Sequence, residues 1–113
     1  MSKIINTKNA PAAIGPYNQS VQTGNLLFVS GQIPLIPESM ELITKSVEAE
    51  THQVMKNLKA ILNESGLDFA NIVKASIFCK NLEDFGRINE IYGSYFESDF
   101  PARECVEVAR LPK

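Results

Sequence analysis

The sequence predicts an α+β fold, a mixed sheet with two amphipathic helices packed on one of its faces. Three observations carry this expectation. Segments 46–65 and 82–96 repeat apolar residues every three or four positions, the spacing of one helix face. Short runs rich in β-branched and aromatic residues lie before, between and after them. Turn residues separate these segments throughout, with Gly15-Pro16, Gly24-Asn25, Gly66 and Pro101 at the breaks.

Taken in order, Pro11, Gly15 and Pro16 make the first part of the chain a rigid, non-helical entry loop. Ser20–Thr23 and Leu26–Ser30 flank Gly24-Asn25, which predicts a hairpin. Leu26, Leu27, Phe28 and Val29 are continuously apolar, the pattern of a strand buried on both faces. Gly31, Pro34 and Pro37 interrupt regular structure, and 38–45 reads as a loop or a short edge hairpin. In the first helix Val47, Thr51, Val54, Leu58, Ile61, Leu62 and Ser65 share a face, and Gly66 sits where a left-handed cap belongs. A strand is predicted over 72–79. In the second helix Phe85, Ile88, Tyr92 and Tyr95 mark the buried face. A last strand covers 102–109. The strand–helix–strand connections should be right-handed. The sheet face away from the helices would be bare, and other copies of the chain are its natural cover.

The 113 residues suffice for a single domain with one core, since a chain of this size buries roughly 65% of its unfolded surface. Apolar residues are 44%, charged residues 21% and the formal net charge is -2. The basic residues are scattered, which argues against a nucleic-acid partner. Cys79 and Cys105 have no CxxC spacing and read as reduced thiols. His52 is the only histidine, so no metal site is expected, and it reads as a surface or half-buried helix residue. No signal peptide or membrane span is visible, and a cytoplasmic location is the expectation.

No catalytic triad, phosphate loop or dinucleotide glycine pattern occurs. Glu83-Asp84 suits the first turn of a helix, where negative charge favours the dipole. The segment that stands out is Phe100-Pro101-Ala102-Arg103-Glu104-Cys105-Val106-Glu107-Val108-Ala109-Arg110-Leu111-Pro112. Strand alternation puts Arg103, Cys105, Glu107 and Ala109 on one face. Alone, an arginine at a strand start is most often solvated or salt-bridged, Tyr17 a core aromatic with an exposed tip, and Asn89 a locally bonded helix residue.

Gly15-Pro16-Tyr17-Asn18-Gln19-Ser20-Val21, Ser30-Gly31-Gln32-Ile33-Pro34, Asn89-Glu90-Ile91-Tyr92 and Pro101-Ala102-Arg103 through Leu111-Pro112 occur in this order. Together they closely resemble the RidA (YjgF) family over nearly the whole chain. The resemblance implies a chorismate-mutase-like fold, assembled as a homotrimer whose sheets form an inner barrel, with ligand clefts between subunits. It implies a hydrolase that needs no cofactor. That enzyme would convert reactive 2-imino or enamine acids, such as 2-iminobutanoate and 2-iminopropanoate, to 2-keto acids and ammonia. Arg103 would clamp the substrate carboxylate, because guanidinium offers a planar fork that lysine lacks. Tyr17 would close the cleft with its hydroxyl near the imine or its water. Ser30 and Gly31 would line the pocket, Asn89 would add a polar amide, and Cys105 would offer its backbone N–H with its thiol on the wall. No base is identifiable near Cys105, so it is not assigned as a nucleophile.

The chain departs from the family pattern in three places. Relatives continue past Leu-Pro-Lys into one more strand, carrying a glutamate that orients the attacking water. A chain ending at Lys113 would lack both, with reduced activity and trimer stability, and Glu107 belongs to another position of the pattern. Met40 stands near a turn glycine of the relatives, which predicts a different turn over 37–43. Glu104 replaces a small hydroxyl residue and should point away from Arg103. Two other functional readings follow from the same residues: a regulatory module that binds a carboxylate or 2-keto acid without turnover, and an endoribonuclease or translation inhibitor.

Overall fold

A computed structural model describes residues 2–113. Its elements are β1 (Ser2–Ile5), β2 (Ser20–Thr23), β3 (Leu26–Val29), α1 (Val47–Glu64), β4 (Lys74–Cys79), α2 (Phe85–Gly93) and β5 (Ala102–Glu107). Short 3-10 turns at Phe69–Asn71 and Leu82–Asp84 precede β4 and α2. The α+β class is as expected, but the strands form two sheets and not one. β1-β2-β3 is an antiparallel three-stranded sheet, and β4-β5 is a parallel pair joined through α2.

The hairpin forms where Gly24 takes a φ of 56° and lets β2 turn into β3. β1 was not expected, because four residues ahead of a proline-rich loop carry little local signal. It exists through pairing with β2, Ile4 opposite Val21 and Ile5 opposite Ser20. Helix α1 starts at Ser46, whose hydroxyl accepts from the Ala49 N–H at 3.0 Å. It ends at Gly66, with φ 76°, and the Leu67 N–H returns to the Leu62 carbonyl at 2.8 Å. The second helix is shorter than its periodicity suggests. Residues 82–84 wind as a 3-10 turn capped by Asn81, and the chain leaves the α-helix after Gly93. β5 likewise stops at Glu107, two residues early.

The core lies between the helices and the inner faces of both sheets. Met55 and Leu62 of α1, Phe69 of the 3-10 turn before β4 and Tyr92 of α2 are buried together, and Leu27, Ala75 and Ile77 pack on them from the strands. α1 is buried on a second side too. Asn57 is 1% exposed and donates to the carbonyls of Ile33 (3.2 Å) and Leu35 (2.9 Å), which pins the Pro34 loop to the helix.

The other faces of the sheets are open. Leu26 and Phe28 are 56% and 61% exposed, so β3 is not buried on both faces within one chain. The strand pleat explains this: Leu27 and Val29 point inward, and Leu26 and Phe28 point out beside Ile4. Phe78 and Val106 form a matching exposed pair on the second sheet.

Met40 corrects a further expectation. It adopts the left-handed region itself, at φ 60°, and so keeps the turn a glycine would make. Its N–H donates to the Ile36 carbonyl at 2.7 Å and the Ile36 N–H donates to the Glu41 carbonyl at 2.9 Å, closing the loop under the Leu35–Leu42 bridge. A side chain there costs about 1–2 kcal/mol of backbone strain, and glycine returns about half of that to the unfolded chain as entropy. Met40→Gly is therefore expected to stabilise the fold by about 0.5–1 kcal/mol, read as a raised urea midpoint.

Candidate functional site

Arg103 is the second residue of β5. The Ala102 N–H bonds to the Val73 carbonyl at 3.1 Å, and Arg103 then sits level with Ala75. This register turns its side chain toward α2. There Phe85, Asn89 and Tyr92 lie four and three residues apart on one helical face. The guanidinium donates to the Asn89 Oδ1. Its central carbon lies 5.4 Å from the Phe85 ring centroid and 5.1 Å from that of Tyr92. Two such cation–π contacts contribute about 1–2 kcal/mol and hold the planar group in one orientation.

Among the described residues no carboxylate pairs with it, and the ion pairs are Lys74–Glu104, Arg87–Glu48 and Arg87–Asp84. A neutral amide and two aromatic rings orient Arg103 and leave its charge uncompensated. Such a fork has donors to spare for an incoming carboxylate. Glu104 points away as expected, to Lys74 at 2.9 Å and Ser76 at 2.6 Å. The Ser76 hydroxyl and then Lys74 hold its carboxyl below the usual carboxylate range. Glu107 shares the Arg103 face of the strand, but its carboxylate accepts the Leu82 N–H at 2.8 Å and caps that turn.

Cys105 is half-buried on the same face, two residues beyond Arg103. Tyr92 is buried, and among the described residues its hydroxyl has no hydrogen-bond partner. Burial pushes that phenol up, opposed by the nearby Arg103 charge. Arg103, Asn89 and Cys105 are thus brought to one place. Phe85 and Tyr92 join them there, and the sequence reading assigned those two to the core only. Their spacing from Asn89 was the available signal.

Tyr17, Ser30 and Gly31 form a second group around the entry loop. The Ser30 hydroxyl donates to the Asn18 carbonyl at 2.6 Å, and the Ser30 N–H to the Gln19 carbonyl at 2.9 Å. Gly31 is exposed, with open space where a Cβ would stand. Tyr17 is 48% exposed, and its hydroxyl accepts the Ile14 N–H at 3.3 Å across the turn at Gly15. A cavity of about 490 Å³ lies beside it, lined by Asn6, Lys8, Tyr17, Asn18, Gln19 and Pro37. Among the described residues no hydrogen bond joins this group to Arg103.

The residue that organises the second group was not foreseen. Gln19 is 3% exposed. Its amide donates to the carbonyls of Pro11 (2.8 Å), Thr7 (3.1 Å) and Ala10 (3.2 Å), and its Oε1 accepts the Thr7 N–H at 2.6 Å. A glutamine in a polar loop reads as solvated, so only its place between Asn18 and Ser20 in the motif marked it. His52 is exposed and reaches from α1 to the turn after α2, its Nδ1 2.8 Å from the Tyr95 hydroxyl. Among the described residues no helix is long and apolar enough to cross a membrane.

The family model described as Endoribonuclease L-PSP matches residues 7–113. The 2-iminobutanoate/2-iminopropanoate deaminase of Escherichia coli K12 is 50% identical, over 100% of this chain and 90% of its own length. Among solved structures, YyfA of the conserved Rid protein family from Yersinia pestis superposes with a TM-score of 0.97 at 44% identity, covering 100% of this chain and 90% of that one. TdcF of E. coli, solved with bound serine, superposes at 0.93 and 44% identity, covering 98% and 89%. With a matching family model over almost its whole length and close relatives in sequence and in structure, this chain belongs to the RidA (YjgF) family.

Proposed function

We propose that this chain is a hydrolase that deaminates 2-imino acids of the 2-iminobutanoate and 2-iminopropanoate type. The observation that carries the reading is the Arg103 guanidinium, fixed by Asn89, Phe85 and Tyr92 and left without a carboxylate partner. An imine carbon is electrophilic once its nitrogen is protonated. Water adds to it, the amine is protonated, and ammonia leaves to give the 2-keto acid. A site that holds the carboxylate and one water in place supplies much of what this reaction needs. The name of the E. coli relative supports the substrate class. The serine bound to TdcF supports a small carboxylate-bearing ligand.

In this reading the cleft is completed between copies of the chain. Tyr17, Ser30 and Gly31 would come from the neighbour, since among the described residues no hydrogen bond joins them to Arg103 within one chain. The apolar outer faces at Ile4, Leu26, Phe28, Phe78 and Val106 would be covered in a homotrimer. Tyr17 would close over the imine, and the Cys105 N–H would meet the carboxylate or the water.

The test uses 2-iminobutanoate generated by an amino-acid oxidase, with semicarbazide trapping what remains. The chain should deplete the trapped imine. Binding of 2-ketobutyrate without such depletion would overturn the enzyme reading and favour a carboxylate-binding regulatory module. That second reading has its own observation: among the described residues no acid stands free at Arg103 to orient water.

Asn89 offers a separate check. Asn89→Asp keeps the shape but puts a carboxylate against the guanidinium, where it would compete with the ligand. Asn89→Ala only loosens Arg103. The affinity for 2-ketobutyrate should fall by about tenfold or less in the alanine variant, about the loss of one hydrogen bond. It should fall further in the aspartate variant, by calorimetric titration.

A further inference from the structure

We propose that Cys105 and Cys79 form an oxidant-modified pair, in which a hydroperoxide attacks the Cys105 thiol and Cys79 captures the product as a disulfide within the chain. The parallel register sets Ile77 beside Cys105 and Cys79 beside Glu107. Both thiols therefore face the helices, on adjacent strands and one diagonal step apart. The Cys79 Sγ lies 3.6 Å from the Val106 carbonyl oxygen, one peptide beyond the one that follows Cys105. Both thiols are free. Burial pushes the Cys79 thiol up, and the neighbouring Cys105 adds to this.

The environments divide the roles. Cys79 is 5% exposed and inaccessible to an oxidant from solution. Cys105 is half-buried and opens on the side where Arg103 awaits a ligand. In the first step the Cys105 sulfur attacks the hydroperoxide, the O–O bond breaks, and Cys105 becomes a sulfenic acid as the peroxide is reduced to water or an alcohol. In the second step the Cys79 sulfur attacks that sulfur, an S–S bond forms, and the hydroxyl leaves as water with the Cys79 proton.

Diagonal neighbours in a sheet stand roughly 7–8 Å apart at Cα. A disulfide prefers about 4.4–6.8 Å. Among the described residues β5 pairs with β4 alone, so closure asks for a local shift of about 1 Å between these two strands. The strain stored would make the bond easily reduced, the property of a reversible modification. The pair would shield Cys105 from irreversible oxidation beside the Arg103 clamp.

The experiment treats the full chain with hydrogen peroxide in the presence of dimedone, blocks remaining thiols, and reads intact mass and peptide maps. Wild type should lose two hydrogens, yield a linked peptide holding Cys79 and Cys105, and return to the starting mass with dithiothreitol. Cys79→Ala and Cys79→Val should instead carry dimedone on Cys105. Dimedone labelling of wild-type Cys105 as fast as in the variants would overturn the proposal, as would disulfides found only between chains. Should both substitutions impair folding, the wild-type peptide map decides alone. None of these readouts depends on imine turnover, so they stand or fall apart from the deaminase reading.

Discussion

Replacing Arg103 by alanine is expected to lower kcat/KM for 2-iminobutanoate about a thousandfold, equivalent to about 4 kcal/mol of lost transition-state stabilisation. The guanidinium is the one group at the site that can meet a carboxylate with two parallel charge-assisted bonds, and Asn89, Phe85 and Tyr92 already hold it in place. Arg103→Lys keeps the charge but loses the fork and its stacking, so it should recover only a small part of the loss. The fold itself should survive. Two cation–π contacts and one hydrogen bond to a half-exposed side chain contribute about 1–3 kcal/mol between them. Imine depletion by the alanine variant within tenfold of wild type would remove Arg103 from its proposed role. A loss of the fold in step with activity would make the effect structural, and circular dichroism on the same samples tells the two apart.

Gln19→Ala is expected to be the most destabilising polar substitution in the entry loop, by about 3–4 kcal/mol. Truncation strips the Thr7 N–H and three carbonyls of their partner, within a region that has almost no apolar core of its own. For a chain of this size that is a drop of roughly 15–20 °C in Tm. Gln19→Glu should fare no better, since a carboxylate would face the carbonyls of Thr7, Ala10 and Pro11. The loop carries Tyr17, so imine turnover should fall too, below the unfolding midpoint and without any change at Arg103. A Tm shift of under about 5 °C would show that water replaces the amide and that the loop needs no internal anchor.

How much of this was legible in the sequence differs from element to element. α1 was plain, because its periodicity, its Ser46 cap and its Gly66 stop are all local. The β2–β3 hairpin was equally plain from Gly24-Asn25. β1 was not, since Ser2–Ile5 is a strand only in the presence of Ser20–Thr23. The end of α2 was overrun because Tyr95 and Phe96 keep the apolar rhythm after the helix has ended. They pack on Phe69 and Tyr92 from a turn instead. Met40 was read as changing its turn, whereas the loop closed by Ile36 and Glu41 holds the methionine in a conformation it disfavours.

The sequence by itself determined the helix, the hairpin and the family, and through that resemblance it pointed to Arg103, Asn89 and Cys105. These rest on local propensity or on residue types in a fixed order, which need no knowledge of distant contacts. Only the tertiary structure decided that Asn89 orients Arg103, that Phe85 and Tyr92 flank its guanidinium, that Gln19 anchors the Tyr17 loop, and that two cysteines 26 residues apart share a sheet face. Each of those depends on strand register and helix docking. They are settled by burial across the whole chain, and one residue of slip would turn Arg103 and Cys105 to the other side of the sheet.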